Sequence, residues 1–276
     1  MTGMNGGDTI VEAAPAKLNL ALHVRRRRPD GYHDLETLFA FCRDGDVISL
    51  TPAPADSFAI TGPFGAGLSG EGDNLVIRAR DSFRAVFGVS NPCAIMLEKN
   101  LPVASGIGGG SADAAATLRA LARLHGVMPD DRRLFDIAAG LGADVPTCLL
   151  GRSAIGYGRG DDLRPVEGYA GTPVVLVNPG VAVSTARVFG GWDGVDRGPI
   201  GGDPAVGRND LTAAAITAAP VIAEVLAALE ALAGARLARM SGSGATCFAL
   251  VDDAKAAAAT IGARYPGWWM LATELR

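Results

Sequence analysis

Between Leu101 and Asp113 the chain reads Leu-Pro-Val-Ala-Ser-Gly-Ile-Gly-Gly-Gly-Ser-Ala-Asp, and an alanine-rich helical pattern opens directly from it. Cys93 to Glu98, just before, has the composition of a strand. The composition, with abundant Ala and Gly and few aromatics, is ordinary for an α/β protein. Glycine has no Cβ, so the backbone can turn tightly and come close to a ligand. The helix start adds unpaired N–H groups and a partial positive charge. Together they form a cradle for phosphate, although a tight structural turn is the plainer reading. No Gly-Lys-Ser/Thr closes the loop, so it is not a Walker A motif, and the third glycine of a dinucleotide fingerprint would fall at Ser111. A phosphate here would be held by backbone amides and the Ser111 hydroxyl.

With 276 residues the chain can bury a large core as one domain or two lobes. A net charge of −4 argues against a nucleic-acid partner. Cys42, Cys93, Cys148 and Cys247 are far apart and form no Cys-x-x-Cys pair, as expected of buried thiols in a reducing compartment. Met1 to Asp8 lacks a basic and an apolar region and reads as a frayed tail, so a cytoplasmic location is expected. The apolar run from Leu211 to Leu229 contains Pro220 and Glu224, which suits a helical region outside membranes.

Alternation predicts strands at Ile10 to Ala14, Leu18 to Val24, Leu35 to Cys42, Asp46 to Thr51 and Phe58 to Thr61. Arg28-Pro29-Asp30-Gly31 is a turn. Asn74 should cap a helix that ends at Gly88. After the glycine loop, Ala114, Ala115, Leu118, Leu121 and Ala122 make one apolar stripe. Asp130 or Asp131 should cap a further helix ending at Gly140. Strands are expected again at Ser153 to Gly158, Pro173 to Asn178, Leu237 to Met240, Thr246 to Val251 and Trp268 to Leu275. Helices are expected from Pro220 to about Leu232 and from Asp253 to Tyr265. Charges and prolines cluster between Asp161 and Thr172, which suggests lobes of 1–165 and 166–276.

Several residues could carry chemistry. Lys17 lies among small and apolar neighbours beside a strand start; it is either a surface charge or an enclosed ammonium that stabilises negative charge on oxygen. Asn19 shares its strand face. Asp144, in Gly142-Ala143-Asp144-Val145-Pro146, is either a helix cap or a general base. Tyr32 and His33 follow the turn and could hold a flat heterocycle, whereas the preceding Arg25 to Arg28 run reads as a solvated face. Met240-Ser241-Gly242-Ser243-Gly244-Ala245 is a second small-residue loop, either a tight turn or a partner of the first loop.

Three of these segments, Pro15 to Leu20, Pro102 to Ala115 and Met240 to Ala245, resemble the three motifs of the GHMP kinases. Arg28 to His33 and Gly142 to Pro146 resemble the branch acting on a cytidine diphosphate-linked polyol in non-mevalonate isoprenoid synthesis. The resemblance implies an α+β fold of two-layer lobes, the N-terminal one like ribosomal protein S5 domain 2 and the C-terminal one ferredoxin-like. It implies ATP-dependent phosphorylation of the 2-hydroxyl of 4-diphosphocytidyl-2-C-methyl-D-erythritol, with Mg²⁺ bridging phosphate oxygens. Asp144 then matches the catalytic base and Lys17 its charged partner. Pro102, Val103, Ala104, Ser105, Gly106, Ile107, Gly108, Gly109, Gly110, Ser111 and Ala112 match the ATP phosphate loop. Tyr32 and His33 match cytidine-recognition residues, Phe189 an aromatic that stacks on the base, and Asn19 and Thr185 substrate contacts. The metal ligands stay unassigned. A monomer or weak homodimer, with neither nucleic acid nor membrane as partner, is expected. Ala104 and Ser105 replace glycines common in the family, and Ala112 replaces a serine; all three keep small volume.

Three other readings compete. A GHMP kinase for homoserine or mevalonate would have no base to stack on Tyr32, His33 and Phe189. A non-catalytic binding protein of the same fold would not need both Lys17 and Asp144. A nicotinamide-dependent oxidoreductase would need the complete glycine fingerprint.

Overall fold

The computed structural model describes residues 8–66, 68, 74–201 and 206–276. Residues 1–7 of the expected tail, and 67, 69–73 and 202–205 in two turn-rich stretches, lie outside them. The elements in chain order are β1 (Ile10–Arg27), β2 (His33–Pro52), β3 (Ser57–Thr61), α1 (Leu75–Phe87), β4 (Cys93–Glu98), α2 (Gly109–Leu124), α3 (Arg132–Leu141), α4 (Val145–Leu150), β5 (Ala154–Gly158) and β6 (Asp162–Pro165). There follow β7 (Pro173–Asn178), α5 (Thr185–Gly190), α6 (Thr212–Ala218), α7 (Val221–Glu230), β8 (Leu237–Met240), β9 (Cys247–Leu250), α8 (Ala254–Arg264) and β10 (Trp269–Glu274). Among the described residues no helix is long and apolar enough to cross a membrane.

Contacts group the chain into two compact units that interleave in sequence. One comprises Met1–Pro15, Gly45–Val103 and Gly109–Leu150; the other comprises Ala16–Asp44, Ala104–Gly108 and Gly151–Arg276. A single division at 165/166 does not express this arrangement. The breaks that suggested separate strands at Pro15 and near Gly45 fall on unit boundaries. The backbone stays extended there while its neighbours change, so β1 and β2 are each one long strand.

In the first unit, β3 runs parallel to β4, with Phe58 opposite Ile95, and α1 makes the crossover between them. The end of β2 pairs antiparallel on the other side of β4, with Leu50 opposite Ile95. Asn74 caps α1 by accepting from the Val76 N–H, and Gly88 closes it with φ 67°, as the sequence predicts. Asp131 caps α3, which runs on to Leu141 and ends at Gly142 instead of Gly140. Helix α2 differs from its expected single stripe. Ala112, Ala114, Ala115, Ala116, Leu118, Ala120, Leu121 and Ala122 are buried, and so are Asp113 and Thr117. A helix buried on nearly all sides belongs to the interior, and its alanines allow α1 and α4 to pack close to it.

In the second unit, β2 pairs antiparallel with β5, with Thr37 opposite Gly156, and β5 pairs with β6. A separate antiparallel sheet has the order β10-β7-β9-β8. Its chain order is a strand, helices, two strands, a helix and a strand, which is the ferredoxin-like plan expected of the C-terminal part. Its core joins Leu22 and Val24 of β1 to Val175, Val177, Ile222, Val225 and Ile261. Elements α4, α5 and β6 were not expected from the sequence.

Candidate active site

The glycine loop folds as its composition demands. Ala104, Gly106 and Gly108 have φ of 51°, 79° and 66°, and α2 starts at Gly109. At Gly106 a Cβ would lie 2.5 Å from the Ser241 carbonyl oxygen and 2.8 Å from that of Gly244. Only glycine fits so close an approach. Within the second unit the loop is anchored on two sides. Lys17 N donates to the Ile107 carbonyl at 2.9 Å, and Thr246 N donates to the Ser105 carbonyl at 3.1 Å. Ser241 Oγ donates to the Gly106 carbonyl at 3.0 Å. The second small-residue loop is therefore a partner of the first. Asn209, which sequence reading missed, holds that second loop through Nδ2, which donates to the Met240 and Gly242 carbonyls at 2.8 Å each.

Pro102 is buried and Val103 exposed, and Gly109, Gly110, Ser111 and Ala112 form the first turn of α2 in the first unit. Beside this turn lies a buried ion triad that sequence reading also missed. Lys99 Nζ donates to Asp46 Oδ2 at 2.5 Å and to Asp113 Oδ2 at 2.7 Å. Asp46 Oδ1 accepts from Asn100 N at 2.6 Å and Leu101 N at 2.8 Å. A Cβ on Gly109 would lie 3.0 Å from Lys99 Nζ, which places the ammonium directly behind the helix start. Burial pushes the Asp113 carboxyl up to about 7, against the pull of Lys99. Burial would lower Lys99, but Asp113 and Asp46 together hold it above the ordinary lysine value. The available signal was an aspartate inside an alanine helix, a residue that costs stability there without a partner.

Lys17 is 3 % exposed and so is no surface charge. Its Nζ donates to Asn19 Oδ1 at 2.9 Å and sits 5.3 Å from the centre of the Phe39 ring. Asn19 Nδ2 donates to Thr37 Oγ1 at 2.7 Å, and Asn19 N donates to Ser241 Oγ at 3.2 Å. The shared strand face expected of Lys17 and Asn19 thus becomes a buried polar chain that reaches the second loop. Asp144, in the first unit, stands immediately before α4, half-buried, and its carbonyl accepts from Cys148 N at 3.1 Å. Its backbone caps the helix, and its carboxylate stands at the helix N-terminus.

His33 is buried, its ring 5.1 Å from that of Phe189 at a tilt of 38° and 5.8 Å from Trp192 edge-on. Burial, with Arg27 adding to it, holds the imidazole below its ordinary pKa. Tyr32 is 53 % exposed, with the Arg159 guanidinium 5.3 Å from its ring centre. Thr185 Oγ1 is 3.0 Å from Ser243 Oγ, which joins the start of α5 to the second loop. The arginine run is not simply a solvated face. Arg25 pairs with Glu36 and Asp196, Arg26 with Asp34, and Arg28 with Asp30 and Asp34.

Residues 74–152 match the GHMP kinases N terminal domain and residues 204–267 the GHMP kinases C terminal domain. The 4-diphosphocytidyl-2-C-methyl-D-erythritol kinase of Rhizorhabdus wittichii is 53% identical over 96% of this chain and 94% of its own length. That of Sphingopyxis alaskensis is 51% identical over 97% and 99%. A crystal structure of 4-(cytidine 5'-diphospho)-2C-methyl-D-erythritol kinase superposes with a TM-score of 0.82 at 35% identity, over 96% of this chain and 99% of that one. Homoserine kinase from Cytophaga hutchinsonii shares the fold, with a TM-score of 0.70 at 19% identity over 100% of this chain and 96% of that one. With both family domains matched in order, and near-full-length relatives at about half identity, the chain belongs to the GHMP kinase family.

Proposed function

We propose that this protein transfers the γ-phosphoryl group of ATP to the 2-hydroxyl of 4-diphosphocytidyl-2-C-methyl-D-erythritol, giving the 2-phosphate and ADP. The observation that carries the reading is the aromatic cluster in which half-buried Phe189 lies against buried His33, next in the chain to exposed Tyr32. An aromatic surface suits a substrate with a flat base, and neither homoserine nor mevalonate has one. The full-length relatives bear the name of this activity.

Phosphoryl transfer asks mainly for positioning and charge neutralisation. The backbone N–H groups of 103–112, which include the start of α2, receive the ATP phosphates. Asp144 takes the proton of the acceptor hydroxyl as its oxygen bonds to the γ-phosphorus. The bond between that phosphorus and the β–γ bridging oxygen breaks, and ADP leaves with the electron pair. Lys17, held by Asn19, contributes positive charge to the oxygen that loses its proton. The Ser111 hydroxyl, in the first turn of α2, is a hard oxygen donor that would help hold a Mg²⁺ ion beside the phosphates, where the ion would supply charge neutralisation. Tyr32 and Thr185 complete the substrate contacts. Four free, buried thiols suit the reducing cytoplasm.

Asp144→Asn tests the base. Turnover should fall by about 10²–10⁴-fold, while calorimetry should still detect binding of both substrates. Turnover near that of the parent protein would remove Asp144 from the role. A panel of cytidine-linked methylerythritol, homoserine and mevalonate acceptors should show phosphate transfer to the first alone.

A further inference from the structure

The arginine run holds one member whose pairing differs from the rest. Arg25, Arg26 and Arg28 each meet a carboxylate; among the described residues Arg27 meets none. Its Nε instead lies 3.4 Å from His33 Nε2, and its Nη2 lies 3.4 Å from the Gly190 carbonyl, next to Phe189. A guanidinium N–H can only donate. His33 Nε2 must therefore accept, and the proton of the neutral ring belongs on Nδ1. Nδ1 has no protein partner among the described residues. Phe189 and Trp192 lie against the same ring and limit its rotation.

We infer that Arg27 is a positioning residue of the base subsite: it holds His33 as the Nδ1–H tautomer, so that the ring presents an N–H donor to an acceptor atom on the pyrimidine edge. The inference rests on the assignment of His33 and Phe189 to cytidine recognition. It explains why a cation is kept beside a buried imidazole. The positive charge disfavours imidazolium, and the directed N–H selects one of two neutral tautomers. A hydrogen-bonding site of this kind discriminates against a base edge that cannot answer it.

The experiment is nitrogen-15 NMR of the full chain, with the His33 signals assigned by comparison with His33→Gln, combined with kinetics. In the parent protein, above the imidazole pKa, Nδ1 should carry the proton and Nε2 should show the shift of an unprotonated ring nitrogen. Arg27→Met keeps the aliphatic stem and removes the donor. The proton should move toward Nε2, and KM for the cytidine substrate should rise by about 2- to 10-fold, the value of one hydrogen bond. The KM for ATP and kcat should stay unchanged. Arg27→Lys, which restores a donor, should recover part of the loss. A parent His33 protonated on Nε2 would overturn the inference, as would an Arg27→Met variant with the parent tautomer and KM. Absence of cytidine-substrate turnover in the parent protein would instead sink the functional reading, and the tautomer spectra distinguish the two failures.

Discussion

Gly106 and Ala104 both occupy left-handed backbone two residues apart, but the steric demand documented at Gly106 is severe. A methyl group there would enter the space of two carbonyl oxygens on the second loop. Gly106→Ala combines a left-handed backbone penalty with overpacking, so a loss of about 2–4 kcal/mol is expected in urea unfolding. The two loops, joined by Ser241 Oγ and Thr246 N, should separate, and affinity for ATP should fall with stability. An unchanged melting temperature in Gly106→Ala would contradict this packing. At the same scale the sequence was informative about residue type. Lys17, Asn19, His33 and Phe189 each make a buried or ring contact that suits their residue type. The sequence was silent about Asn209 and Arg239, whose side-chain N–H groups donate to backbone carbonyls far away in the chain. Arg239 donates to the carbonyls of Leu20 and Gly207, and no local pattern encodes a carbonyl.

The ends of β2, β4 and α2 meet at Asp46, Lys99 and Asp113. One cation between two carboxylates leaves a buried excess of negative charge when both are ionised, which is costly. Burial of Asp113 raises its folded value to about 7, against about 3.9 in an unfolded chain. Between those two values the folded protein binds more protons than the unfolded one, so stability falls as pH rises through this window and levels off above about 7. Asp113→Asn removes the titration. Relative to the parent protein, the variant should gain stability steadily between pH 5 and pH 7.5, as read by urea melts across that range. Parallel pH profiles for the two proteins would refute the raised value. Helix α2 shows why an element's start was easier to read than its surroundings. Glycines mark the start in any context, whereas alanines pack equally well against one neighbour or several.

The whole chain is woven, since the second compact unit draws on residues 16–44, 104–108 and 151–276. Leu22 and Val24 of β1 enter the same core as the C-terminal sheet. A fragment of 166–276 should therefore lack cooperative unfolding although it contains all four strands of that sheet, and circular dichroism during heating should show a broad transition. A sharp melt near that of the full chain would show that this sheet folds alone. Sequence by itself determined the strand, loop and helix between Cys93 and Leu124 and the caps of α1 and α3. Each of these depends on neighbours within a few positions, where backbone conformation and periodicity are written directly. Only the tertiary structure decided that β1 and β2 continue through two units, that α2 is enclosed, that two loops interlock at Gly106, and that Lys99 shares two carboxylates. Those outcomes depend on which distant groups compete for the same buried space and the same hydrogen bonds, and a linear pattern carries no record of that competition.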